Sequence, residues 1–246
     1  MTNILMIHGW AANGGIFQPL RRRLPEHWQV STPHLPGHGG NGREGGFSVE
    51  AAAERLAADI GEPAHILGWS LGGLVALRLA AAYPHKVRSL ILCSTFARLH
   101  AAPDYPEGLR QTVLDKMVDL FRADYAKYMR QFLELQLLHT PERAEMTASV
   151  LSDLLRYGEP VLLEEALTAA KNADMRAVLP QIQQPVLLVY GDKDAVTPVR
   201  MGEYMAWHLP DARLCVAVGA AHTPFLSHSH WFAAQMMGFI GGFQAA

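Results

Sequence analysis

The chain has 246 residues, of which 50% are hydrophobic and 18% charged, with a formal net charge of −2. That balance supplies no overall pull toward nucleic acid or an anionic membrane surface. The length suits one large α/β domain or two small ones and suffices for a substantial core. Twelve histidines are present, but His34, His38, His100 and His139 lack metal-ligand spacing. Cys93 and Cys215 form no motif and read as buried, inert thiols in apolar strands.

The N-terminus, "MTNILMIHGW", has no basic leader with a long apolar run and cleavage site, and no apolar run approaches the roughly 20 residues of a membrane span. A soluble cytoplasmic protein is expected. "ILMIHG" predicts a buried strand, and "WQVSTPHLPGHG" a second strand running into a Gly/Pro loop. "FSVEAAAERLAADIG" predicts a helix capped by Ser48 and stopped at Gly61. "AHILGW" is a strand, "LGGLVALRLAAAYP" a helix ended by Pro84, and "VRSLILCS" a strand. Beyond a long interruption come "PVLLVYG" (strand), "PVRMGEYMAWHL" (helix), "ARLCVAVG" (strand) and "SHWFAAQMMGFIG" (helix). Fully apolar strands separated by helices indicate a mostly parallel sheet covered on both faces.

The interruption, about residues 101–180, shows almost no strand signal. "EGLRQTVLDKMVDLF", "ADYAKYMRQFLELQLL", "PERAEMTASVLSDLLRYG" and "PVLLEEALTAAKNAD" carry helical periodicity, punctuated by prolines. The predicted division is a core of residues 1–100 and 181–246 with a helical lid of residues 101–180.

The stretch that carries chemistry is Gly68-Trp69-Ser70-Leu71-Gly72. Alone it is a weak pattern, also readable as a glycine-rich turn with an idle serine. Its setting, after a predicted strand and opening a predicted helix, is what a nucleophile elbow requires. A serine hydroxyl needs a base and an orienting carboxylate. "PVLLVYGDKDAVTP" places Asp192 and Asp194 just after one later strand, and "LCVAVGAAHTPF" places His222 after the next. Three elements in that order, each beyond its own strand, favour a Ser-His-Asp triad. The helix start after Ser70 makes the Leu71 N–H one oxyanion donor. The turn in "HGWAANGG" offers the Trp10 N–H as the second. Trp69, beside the serine, is expected to shape an acyl pocket.

These pieces, with "LPGHG", "LGWSLGGLVA", "FLELQ", "YGDKDAVTP" and "AAHTPFLSH", make the chain resemble the α/β-hydrolase superfamily. Within it, the chain resembles the BioH-type pimeloyl-[acyl-carrier protein] methyl ester carboxylesterases of biotin synthesis. The resemblance implies an α/β-hydrolase fold with a helical lid and a serine esterase that needs no cofactor or metal. It implies Ser70 as nucleophile, His222 as general base and acid, and Asp194, four residues before Pro198, as the orienting acid. Asp192 is left to shape the turn. It implies that Phe132 faces the acyl channel beside Trp10, Trp69, Ser70 and Leu71.

Two departures stand out. An N-terminal hairpin common in such relatives is missing before "HGW", so the sheet is expected to have a shortened N-terminal edge. His34 occupies the position of a usual aspartate before "LPGHG".

The resemblance also implies an acidic acyl carrier protein as partner of a monomer. Arg130 and Arg143 are candidates for its docking patch, although acidic residues lie among the basic ones in the same helices. Met129, Leu133, Leu137 and Leu138 are expected to line the channel beside Phe132. The same triad also serves general short-chain esterases, thioesterases and C–C hydrolases. A non-catalytic ligand-binding hydrolase fold is a further alternative.

Overall fold

The computed structural model describes residues 1–109 and 117–242. Six strands, β1 (Asn3–Ile7), β2 (Gln29–Ser31), β3 (Ala64–Trp69), β4 (Val87–Cys93), β5 (Val186–Gly191) and β6 (Ala212–Ala217), form one sheet. Its order is β2-β1-β3-β4-β5-β6, and every pairing is parallel. Residues of both alternations are buried in β3 and β5, because helices cover both faces. That explains why these strands are continuous apolar runs and not alternating ones. The chain leaves β1 toward one edge and β3 toward the other, so the order reverses between them. In open α/β sheets a ligand site lies at such a reversal, outside the carboxyl ends of the strands.

Helix α1 (Gln18–Arg21) follows β1, and α2 (Val49–Asp59) precedes β3. The Ser48 hydroxyl caps α2 by accepting from the Ala51 N–H at 3.0 Å. Helix α3 (Leu71–Ala82) runs directly out of β3. The helices α4 (Met117–Ala123), α5 (Tyr125–Gln136), α6 (Arg143–Leu155) and α7 (Leu163–Asn172) fall between β4 and β5. The sequence places the first of these from Glu107, but residues 107–109 are not helical. There Leu109 bridges to His100, and residues 110–116 lie outside the described range. The chain closes with α8 (Val199–His208), α9 (Pro224–Ser227) and α10 (Ser229–Gly241).

Cys93 is buried as expected, whereas Cys215 is only half-buried. It lies on the edge strand β6, where one side of the ladder has no neighbour to cover it. Among the described residues, no helix is long and apolar enough to cross a membrane.

Candidate active site

The turn from β3 into α3 is built by glycines at which a side chain has no room. A Cβ on Gly72 would lie 2.1 Å from the Ile7 carbonyl oxygen, and one on Gly73 would lie 2.3 Å from Thr95 Oγ1. These close approaches seat the start of α3 against the end of β1 and against Thr95, just beyond β4. Ser70 takes φ 53°, ψ −120°, a backbone that L-residues reach only when the surroundings impose it. The Ser70 N–H donates to the Cys93 carbonyl at 3.0 Å, and the Thr95 hydroxyl donates to the Ser70 carbonyl at 2.7 Å. With both its backbone groups tied down, the residue holds its hydroxyl away from the turn. Gly72→Ala forces its methyl into immovable backbone. It is expected to lower the unfolding free energy by about 3 kcal/mol or more in urea titration; a change below about 1 kcal/mol would contradict this packing.

Gly9 brings the loop after β1 to the same place, since a Cβ there would lie 3.2 Å from Ser70 Cβ. The Gly9–Ala12 turn, closed by Ala12 N–H to Gly9 C=O at 3.4 Å, puts the Trp10 N–H at its corner. Neither the Trp10 nor the Leu71 N–H finds a backbone acceptor among the described residues. Leu71 opens α3, where the first N–H groups have no intrahelical acceptor, and Trp10 lies in the turn, so both amides are left to donate to a ligand.

His222 Nδ1 donates to Asp194 Oδ2 at 2.8 Å, in a pair that is buried on both sides. Asp194 Oδ1 accepts from the Val196 and Thr197 N–H groups at 2.8 and 2.9 Å, and Oδ2 also accepts from the Thr197 hydroxyl at 2.7 Å. Burial raises the Asp194 pKa, but the adjacent His222, its hydrogen bond and the Thr197 donors outweigh it and hold the carboxyl below the usual carboxylate value. The Trp69 indole N–H donates to the His222 carbonyl at 3.0 Å. With Nδ1 committed to Asp194, Nε2 is the nitrogen left for a proton from a nucleophile. Asp192 instead accepts from the Gly219 N–H at 2.6 Å and pairs with Lys193, shaping the turn.

Ser70, Leu71, Trp10, Trp69, Phe132 and His222 all line one cavity of about 350 Å³. Phe96, Leu99, Leu120, Phe121 and Leu167 extend its apolar wall. The Trp10 ring meets Phe121 and Phe132 edge-on, with centroids 5.2 and 5.9 Å away. The channel residues expected on α5 are different ones. Tyr128, Gln131, Phe132, Leu135 and Gln136 line the cavity, at helical spacings of three and four. Met129, Leu133 and Leu137 are buried in the core instead, and Leu138 is exposed. Both stripes are apolar enough to pass for the channel wall, and periodicity does not say which one faces a neighbouring helix.

No motif in the sequence singles out Gln136. It is buried, it lines the cavity, and neither end of its side-chain amide has a partner among the described residues. Its position four residues after Phe132 was the available signal. Thr197, which clamps Asp194, is likewise singled out by no motif.

His34 supports the loop expected to lose its aspartate. Its Nδ1 accepts from the Gly14 N–H at 3.4 Å, and its ring packs on Gly39. The neighbouring His8 and His38 rings are buried 5.4 Å apart. Burial, above all, depresses both pKa values, that of His38 to about 4. The two rings are therefore neutral scaffold. Among the described residues, no group of three or more His, Cys, Asp and Glu is placed to hold a metal.

The chain matches the family profile of the alpha/beta hydrolase fold over residues 2–229. It is 56% identical to a "Pimeloyl-[acyl-carrier protein] methyl ester esterase" of Neisseria meningitidis, over 98% of this chain and 94% of that one. A protein of the same name from Chromobacterium violaceum is 35% identical, over 94% and 91%. In structure the chain is similar to an esterase from Exiguobacterium antarcticum, with a TM-score of 0.89, 22% identity, and 98% and 92% coverage; that likeness concerns the fold. The chain therefore belongs to the α/β-hydrolase family and, within it, to the group of pimeloyl-[acyl-carrier protein] methyl ester esterases.

Proposed function

We propose that the protein is a serine carboxylesterase that hydrolyses the methyl ester of pimeloyl-[acyl-carrier protein] in biotin synthesis, in the cytoplasm. The observation that carries this reading is the single apolar cavity reached by both Ser70 and His222, in a chain so similar to esterases of that name. His222 Nε2 takes the Ser70 proton as Oγ bonds to the ester carbonyl carbon. The resulting oxyanion accepts from the Trp10 and Leu71 N–H groups. Asp194 keeps the imidazole in the tautomer this requires and stabilises the imidazolium. Collapse of the tetrahedral adduct expels methoxide, which leaves as methanol with the proton from His222. Water, activated by the same histidine, then releases the free acid from the acyl-enzyme.

Residues 101–180 act as a lid in this reading: α4, α5 and α7 supply cavity-lining side chains opposite the sheet. A walled, largely apolar site keeps bulk water from the acyl chain. The buried Gln136 amide is the polar group placed to meet a carbonyl or hydroxyl of the bound chain. Acyl transfer by a triad needs no metal or cofactor.

The carrier would dock on the outer face of the lid. Arg130 and Arg143, on α5 and α6, are both exposed, and neither has an acidic partner among the described residues. Acidic carriers are steered by such charges. The test compares pimeloyl methyl ester on its carrier protein with a short p-nitrophenyl ester. Arg130→Glu with Arg143→Glu is expected to raise KM for the carrier substrate about tenfold and to leave the short ester unaffected. Equal turnover of the carrier substrate by both proteins would remove the patch. Hydrolysis of the short ester alone would make the protein a general esterase, the second use of the same triad.

A further inference from the structure

The loop that carries the Trp10 amide is gripped by three helices of the segment between β4 and β5. The Trp10 indole N–H donates to the Leu163 carbonyl at the start of α7, at 2.7 Å. The Asn13 side chain donates to the Asp153 and Leu154 carbonyls in α6, at 3.0 and 3.3 Å. The Tyr125 hydroxyl, at the start of α5, donates to the Ala11 carbonyl at 3.0 Å. Ala11 is fully buried and has φ 60°. It sits third in the Gly9–Ala12 turn, where a positive φ favours glycine and penalises any residue with a Cβ. An alanine there holds that conformation only because something outside the turn imposes it.

We infer that Tyr125 is a positioning residue for ester hydrolysis: its hydroxyl pins the strained Ala11 turn and so aims the Trp10 N–H at the oxyanion. The inference rests on Ser70 and the Trp10 amide having the roles proposed above. Burial, and then the nearby Glu159, push the Tyr125 pKa up, so the phenol stays a donor across the working pH range. An oxyanion donor acts only if it already points at the developing charge. Loss of the pin is therefore expected to affect the transition state and to leave the bound ester almost untouched.

The experiment uses the full chain, a short p-nitrophenyl ester, and an alkyl boronic acid that adds to the serine as a tetrahedral mimic. Tyr125→Phe is expected to lower kcat about tenfold with KM changed less than twofold, and to weaken boronate inhibition by the same factor. Adding Ala11→Gly, which removes the penalty on the turn, is expected to restore both values, although the phenol is still missing. A Tyr125→Phe effect confined to KM would overturn the inference. So would a lowered kcat with unchanged boronate affinity, or a loss that Ala11→Gly leaves unrepaired. Wild-type protein that the boronate fails to inhibit would instead overturn the Ser70 assignment, so the two failures are told apart.

Discussion

Ser70→Ala is expected to lower kcat on any ester the protein accepts by about 10⁴- to 10⁶-fold, and to leave the fold and cavity in place. The side chain caps nothing at the start of α3. The strained turn is held by groups that alanine retains: its N–H on the Cys93 carbonyl, and its carbonyl under the Thr95 hydroxyl. In the proposed mechanism, loss of the hydroxyl therefore removes the nucleophile and little else. Steady-state turnover, with urea unfolding as the control, checks this. Residual activity above about 1% would mean that water attacks directly and that no acyl-enzyme forms.

Asp194→Asn is expected to cost about 10³- to 10⁴-fold in kcat, while Asp192→Asn changes kcat by less than about threefold. The two carboxylates are two residues apart after the same strand, yet only Asp194 reaches His222. An asparagine at 194 would turn an N–H₂ or a weaker acceptor toward Nδ1 and favour the wrong imidazole tautomer. There is also a stability consequence. The folded Asp194 pKa lies below its unfolded value. The ionised carboxylate therefore stabilises the fold above the unfolded pKa, and that contribution is lost as pH falls through the folded one. Urea midpoints below pH 4 should fall less steeply for Asp194→Asn than for wild type. A steeper fall for the variant would reverse the sign of this linkage.

The strands and most helices were legible in the sequence, since β1, β3, β4 and β5 are short apolar runs bounded by Gly, Pro or cap residues. The turn at Ser70 was legible because its glycines flank the serine at fixed spacing between an apolar strand and a helix-forming run. The contacts that exclude a side chain from Gly72 and Gly73 come instead from the end of β1 and from Thr95. The choice between Asp192 and Asp194 needed the resemblance, because chain order alone permits either. What the sequence concealed lies in the four helices between β4 and β5. There Met129-Leu133-Leu137 and Tyr128-Phe132-Leu135 are both apolar stripes, and only tertiary packing decides which one faces the cavity. The orphaned amide of Gln136 and the Tyr125–Ala11 contact are likewise tertiary facts, since each joins residues with no local signature of their meeting.

The pairing of β4 with β5 joins Leu90 to Val186, about 100 residues apart. At a synthesis rate of about 5–20 residues per second, the apolar edge of β4 waits roughly 5–20 s for its neighbour to leave the ribosome. Parallel seams of such long sequence separation close slowly and expose a sticky ladder meanwhile. The helices that cover the serine thus also delay completion of the sheet, making the β4 edge the point where chaperone capture or aggregation of the nascent chain would begin.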